Sequence, residues 1–202
     1  VLVESNCEAL AVESVRTMIG NGVAKLVERG FRAAGRPLSD AELAPVVVQF
    51  MVHYSADPTA HTRLYPGVAE ALEKLAKAGV KQGLCTDKPD AVTRLILQQL
   101  NIDQYFSAVV GGDTTDARKP DPRPLQYCID TLGVAVSDTI MIGDSAVDAG
   151  SARALRVMIG LVAHGYRHTD LAEIDADFLV EDIASVPEIL AAQMEQGSAL
   201  AC

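Results

Sequence analysis

Thr139-Ile140-Met141-Ile142-Gly143-Asp144-Ser145-Ala146-Val147-Asp148 is the stretch on which the reading of this chain turns. A short apolar run, strand-like in length, ends in Gly-Asp-Ser, and the mostly small residues over 146–155 read as a helix. Asp144 then sits at the carboxyl end of a strand, where open α/β sheets place their ligands. Asp148 follows one helical turn later, so both carboxylates can face one crevice. Two carboxylates there suit a hard, oxygen-seeking cation such as Mg²⁺. The plain alternative makes Asp144 a helix N-cap and Asp148 a solvated helix residue.

Outward from this stretch the chain has two textures. From Tyr65-Pro66-Gly67 onward it alternates helix and strand. Helices are expected over 67–78, 89–100, 124–132 and 146–155, strands over 80–85, 108–111, 139–142, 157–162 and 178–180, and a closing helix over 183–193 with a loose tail after it. Strands separated by single helices imply a parallel, doubly wound α/β sheet. Before Tyr65 no convincing strand occurs. Helices are expected over 13–18, 23–34 and 40–53, the last opened by a capping box of Ser39 and Glu42, with Pro45 arguing for a slightly later start. The expected division is a remnant over 1–8, a small helical cap over 9–62 and an α/β core over 63–202.

Composition narrows the function. The 202 residues carry a net charge of −10, which argues against nucleic-acid and membrane-surface partners and for a soluble cytoplasmic protein. An acidic protein that binds a phosphate ester must supply local positive charge from a cation or a few placed lysines. Cys7, Cys85, Cys128 and Cys202 show no Cys-x-x-Cys spacing and read as reduced thiols, not a zinc site. There is no signal peptide and no apolar run of membrane-spanning length. Nothing in the sequence assigns an oligomeric state.

Three strand ends carry polar groups. Thr86, in Leu84-Cys85-Thr86-Asp87-Lys88-Pro89, follows one strand and precedes a helix. Its hydroxyl and the next backbone N–H can hold a phosphate, although a plain N-cap explains it equally well. Lys119, in Arg118-Lys119-Pro120-Asp121-Pro122, lies in a loop stiffened by two prolines and can present a point charge to a phosphate oxygen. As a loop lysine it is expected to contribute little to stability. Asp144 with Asp148 is the third.

In order and spacing, Thr86, Lys119 and Gly-Asp-Ser-Ala-Val-Asp at 143–148 resemble the second, third and fourth motifs of the haloacid dehalogenase-like (HAD) hydrolases, with Tyr65-Pro66-Gly67-Val68 similar to the return into that family's Rossmannoid core. Ile19-Gly20-Asn21-Gly22-Val23, the Thr86 segment and Gly165-Tyr166 resemble the phosphoglycolate phosphatases within it. The resemblance implies phosphoryl transfer to an Asp and hydrolysis of the aspartyl phosphate, with Mg²⁺ held by Asp144 alone among the carboxylates present. It further implies that Asp148 orients metal water or Lys119, that Thr86 and the Asp87 N–H bind the phosphoryl oxygens, and that Lys119 stabilises the transferring charge. Gly20, Asn21 and Gly22 would meet the non-phosphate end of a small phosphorylated metabolite, which the resemblance implies is 2-phosphoglycolate. A mutase or pyrophosphatase on the same fold, or a pseudo-phosphatase that binds without turnover, are the alternatives.

The family's first motif, a strand ending in Asp-x-Asp-Gly, is missing here. Val1-Leu2-Val3-Glu4-Ser5 resembles the segment just after it, so the expectation is a fragment of a longer working protein, lacking its nucleophile and the central strand and inactive by itself; the alternative is a product that truly lacks the strand and is inactive or unstable. Two strands would be left with unpaired edges flanking a groove.

Overall fold

A computed structural model describes residues 1–163, 165 and 169–199 of the chain. Three helices come first: α1 (Val12–Arg16), α2 (Val23–Ala33) and α3 (Asp40–Ala56). The remainder alternates as α4 (Val68–Lys77), β1 (Gln82–Cys85), α5 (Asp90–Gln99), β2 (Phe106–Val110), α6 (Arg123–Leu132), β3 (Ile140–Gly143), α7 (Ala146–Leu155), β4 (Met158–Val162), β5 (Phe178–Val180) and α8 (Val186–Ala199). The α/β class and the helical amino-terminal block stand as the sequence implied. The expected loose tail is corrected in part, since α8 continues to Ala199; residues 200–202 lie outside the described residues.

Local signals explain the boundaries. The Glu42 carboxylate accepts from both Ser39 N–H and Ser39 Oγ (2.9 and 2.6 Å), so α3 starts at Asp40 and carries Pro45 inside it. Pro45 removes one helical N–H, but the helix face there is exposed, where water satisfies the freed carbonyl. Gly133 takes the left-handed conformation that ends α6.

All strand pairs are parallel, but the strands form two sheets: β1 with β2, and β3-β4-β5 in that order. Among the described residues β1 and β3 do not pair with each other, so each keeps one edge without a strand partner. Burial follows from this. In β4, flanked on both sides, Ile159 and Leu161 are wholly buried, whereas Ile140 and Ile142 of β3 are only half-buried and Gly83 of β1 is exposed.

Helix α6 joins the halves. Its Cys128 and Leu132 pack with Ala108, Val110 and Cys85 on the first sheet, while its Leu125 and Ile129 join Met141, Ile159 and Leu161 on the second. Gly83 lets α6 lie close to β1, since a Cβ there would meet Cys128 Sγ at 2.7 Å. Small residues do the same for α7: Ala149 and Ala152 are buried against the second sheet.

Candidate active site

The carboxyl ends of β1 and β3 are tied together by one side chain. The Lys119 ammonium donates to the Cys85 carbonyl at the end of β1 (2.9 Å) and to Asp148 Oδ1 in the first turn of α7 (2.7 Å). An ammonium has three donors, so a third remains for another acceptor. The loop carrying Lys119 is itself held by α7. Ser151 Oγ donates to the Asp121 carbonyl at 3.0 Å, and Gly150 leaves room for Pro120, which a Cβ would meet at 2.8 Å.

Asp148 is fully committed. Its Oδ1 takes Lys119; its Oδ2 takes Asp144 N–H (3.1 Å), Ser145 N–H (3.1 Å) and Ser145 Oγ (2.6 Å). Ser145 is the N-cap of α7 and Asp148 the third residue of its capping box. Both parts of the plain alternative therefore fail: Asp144 is not the cap, and Asp148 is 4% exposed. Burial opposes the charge on each partner. For Asp148 the Lys119 ammonium and the three further donors outweigh it and hold the carboxyl below the usual carboxylate range. For Lys119 the Asp148 carboxylate outweighs it and holds the ammonium above the usual lysine range. Lys119 is thus a buried, permanently charged group, and the expectation that it matters little to stability is corrected. Its side chain is 9% exposed because the pairing residue, distant in sequence, draws it inward.

Thr86 leads out of β1, its N–H donating to the Val110 carbonyl at 2.9 Å. Its Oγ1 accepts the Lys88 N–H (3.3 Å), while the N-cap of α5 is Pro89, so Thr86 is not that helix's cap. Among the described residues the Thr86 hydroxyl proton and the Asp87 N–H have no acceptor. Burial raises the Asp87 carboxyl, with Lys119 opposing. Gly111 and Gly112, which the sequence reading passed over, let the chain after β2 run against Asp90 and Asp87. The Val-Gly-Gly run closing a strand was the available signal.

Asp144 stands at the end of β3, with Gly165 packed so closely on its carboxylate that a Cβ would collide. Tyr166 lies outside the described residues. No group of three or more His, Cys, Asp or Glu side chains among the described residues is placed to hold a metal. With Asp148 saturated, a cation here would rely on Asp144 as its one carboxylate. Mg²⁺ accepts that, since it commonly takes one or two carboxylates plus substrate phosphate and water.

The Gly20-Asn21-Gly22 loop is ordered by Arg29, whose guanidinium donates to the Met18 and Gly20 carbonyls (2.8 and 3.3 Å) and to Asn21 Oδ1 (2.9 Å). The loop reaches the core: a Cβ on Gly22 (φ 85°) would stand 3.0 Å from Nη1 of Arg118, the neighbour of Lys119. The guanidinium of Arg118 is in turn held by the Gly112 carbonyl (2.8 Å). Loop and crevice therefore come together.

The 202 residues contain no Asp-x-Asp-Gly, the form of the nucleophile motif that the resemblance calls for. Asp175-Ala176-Asp177 alone has the form Asp-x-Asp, and both carboxylates are bound to Arg153 at 2.9–3.0 Å. Cys85 is no substitute, since burial pushes its thiol up to about 11.

Three comparisons bear on this arrangement. The family model described as haloacid dehalogenase-like hydrolase matches residues 1–162. The phosphoglycolate phosphatase of Rhodospirillum rubrum is 35% identical over 193 residues, covering 94% of this chain and 80% of that protein. That of Cereibacter sphaeroides is 38% identical over 189 residues, covering 94% and 86%. Among solved structures, a predicted phosphoglycolate phosphatase from Haemophilus somnus superposes with a TM-score of 0.86 at 28% identity, covering 94% of this chain and 86% of its own.

Proposed function

The chain belongs to the haloacid dehalogenase-like hydrolases, and from that premise we propose that it is part of a Mg²⁺-dependent phosphatase acting on a small phosphate monoester, 2-phosphoglycolate. The observation that carries the reading is Lys119: a buried cation, fixed by Cys85 and Asp148, with one donor to spare between the ends of β1 and β3. The names of the relatives support the substrate.

In this reading the phosphoryl group sits where the two strand ends meet. The Thr86 hydroxyl and Asp87 N–H donate to its oxygens, and Lys119 gives its third N–H to another. Such donors are pre-aligned before charge develops, which is how most transition-state stabilisation arises. Asp148 acts through Lys119, holding it charged and aimed. Asp144 would hold Mg²⁺, which when bound neutralises phosphate charge and lets a carboxylate approach. The Gly20–Gly22 loop covers the non-phosphate end and excludes water.

The family's covalent step moves the phosphoryl group from the ester oxygen to an Asp, the alcohol leaving with a proton, after which water cleaves the aspartyl phosphate. Residues 1–202 contain no Asp-x-Asp-Gly. What these residues do by themselves in this reading is bind and polarise a phosphate without turnover. The acidic composition and the free thiols of Cys7, Cys85 and Cys128 support a cytoplasmic location.

Titration of the 202-residue chain with inorganic phosphate in the presence of Mg²⁺ tests the site. One binding site is expected, weakened about tenfold or more by Thr86→Val, as loss of a hydrogen bond to a charged group implies. A chain that binds no phosphate, or binds it equally well without Thr86 Oγ1, contradicts the assignment.

A further inference from the structure

Nine lysines and arginines among the described residues pair with carboxylates of the chain. Arg153 is held by Asp175 and Asp177, Arg123 by Asp116 and Asp121, Arg94 by Asp90, Lys25 and Arg32 by Glu28, and Lys74 by Glu188. At the crevice Lys119 is held by Asp148. Lys88 differs. Its backbone is pinned on both sides, the N–H donating to Thr86 Oγ1 (3.3 Å) and the carbonyl accepting from Gly112 N–H (2.7 Å). Its side chain is exposed, and among the described residues its ammonium has neither a carboxylate within ion-pair distance nor a hydrogen-bond acceptor.

Position tells what it faces. Lys88 lies two residues past Thr86, and the charges that act on it are Asp144 and Lys119, the groups that line the crevice. Lys119 cannot serve two anionic groups, because two of its three donors are already spent. Arg118 is directed elsewhere, its guanidinium lying against Gly22 and the Gly112 carbonyl.

We propose that Lys88 binds a second anionic group of the substrate, a carboxylate close to the phosphate, and so selects phosphate esters of small hydroxy acids. This rests on the phosphatase reading above. A flexible stem with a compact charge suits a group that must reach across a short substrate to a carboxylate. Phosphate is then anchored by residues 86, 87 and 119, and the other end of the ester by Lys88 beneath the Gly20–Gly22 loop.

The experiment is calorimetric titration of the 202-residue chain and its Lys88→Gln and Lys88→Arg variants, with Mg²⁺, using inorganic phosphate, ethyl phosphate and 2-phosphoglycolate. The last two differ in whether a methyl or a carboxylate ends the chain. The unaltered chain should prefer 2-phosphoglycolate to ethyl phosphate by about tenfold or more, the strength of one charge-assisted contact. Lys88→Gln should abolish that preference while changing phosphate and ethyl phosphate affinity less than about twofold, and Lys88→Arg should retain part of it. Equal weakening of all three ligands by Lys88→Gln, or no change in any, overturns the proposal. No preference in the unaltered chain also overturns it, but leaves the phosphatase reading standing. Failure of the unaltered chain to bind any of the three overturns both.

Discussion

Removing the charge of Lys119 would strand Asp148, 4% exposed and placed in the first turn of α7. A buried carboxylate that loses its partner costs about 3–5 kcal/mol. For a chain of this length that corresponds to a fall in unfolding temperature of about 10 °C. Lys119→Met should therefore show that fall in a calorimetric scan, and adding Asp148→Asn should recover a good part of it, because the two residues form one unit. A single variant that unfolds within a degree or two of the parent would mean that the pair is not formed. Thr86, Lys119, Asp144 and Asp148 were legible in sequence as candidates because they follow strand ends in order, and the structure adds that Lys119 and Asp148 meet. The burial of Lys119 was not, because it depends on Asp148, which comes from a different element and 29 residues later. Lys88 was passed over for a related reason: its distinction is to stand next to Thr86 with, among the described residues, neither a carboxylate nor a hydrogen-bond acceptor on its ammonium, and pairing becomes visible only once the side chains have been placed.

At the scale of elements, the capping box at Ser39 and Glu42 set the start of α3 as the local pattern implied. Strand β1 was expected from 80 and begins at Gln82. Gln82 faces inward at 8% exposure and bonds the Leu72 carbonyl, an inward polar residue that alternation does not anticipate. Two glycines in Gly20-Asn21-Gly22 would by themselves leave this loop conformationally free. In the folded chain it is tied by Arg29, on the helix that follows it. Arg29→Met should speed amide hydrogen exchange at Met18 and Ile19, while the exchange of α6 and the unfolding temperature stay close to those of the parent, since Arg29 lies at the surface of the loop. Unchanged exchange at these two amides would show that the loop is held by something else.

For the whole molecule, alternation of strands and helices announced a doubly wound parallel sheet. The strands are parallel, but they form two sheets of two and three strands, linked by α6 through the core and by Lys119 at the carboxyl ends. Thr86 and Asp144 lead out of β1 and β3, the two strands whose edges do not pair with each other. In the proposed reading a strand between them would supply backbone partners for both edges and deliver a carboxylate to the phosphate at once. The measurement that tests this most directly is Mg²⁺-dependent release of phosphate from 2-phosphoglycolate by the 202-residue chain and, side by side, by the same chain extended at its amino terminus with a strand ending in Asp-x-Asp-Gly. The account predicts turnover by the extended chain and none above buffer by the 202 residues, whose donors position a phosphate but offer no nucleophile. Equal rates from the two chains would contradict it.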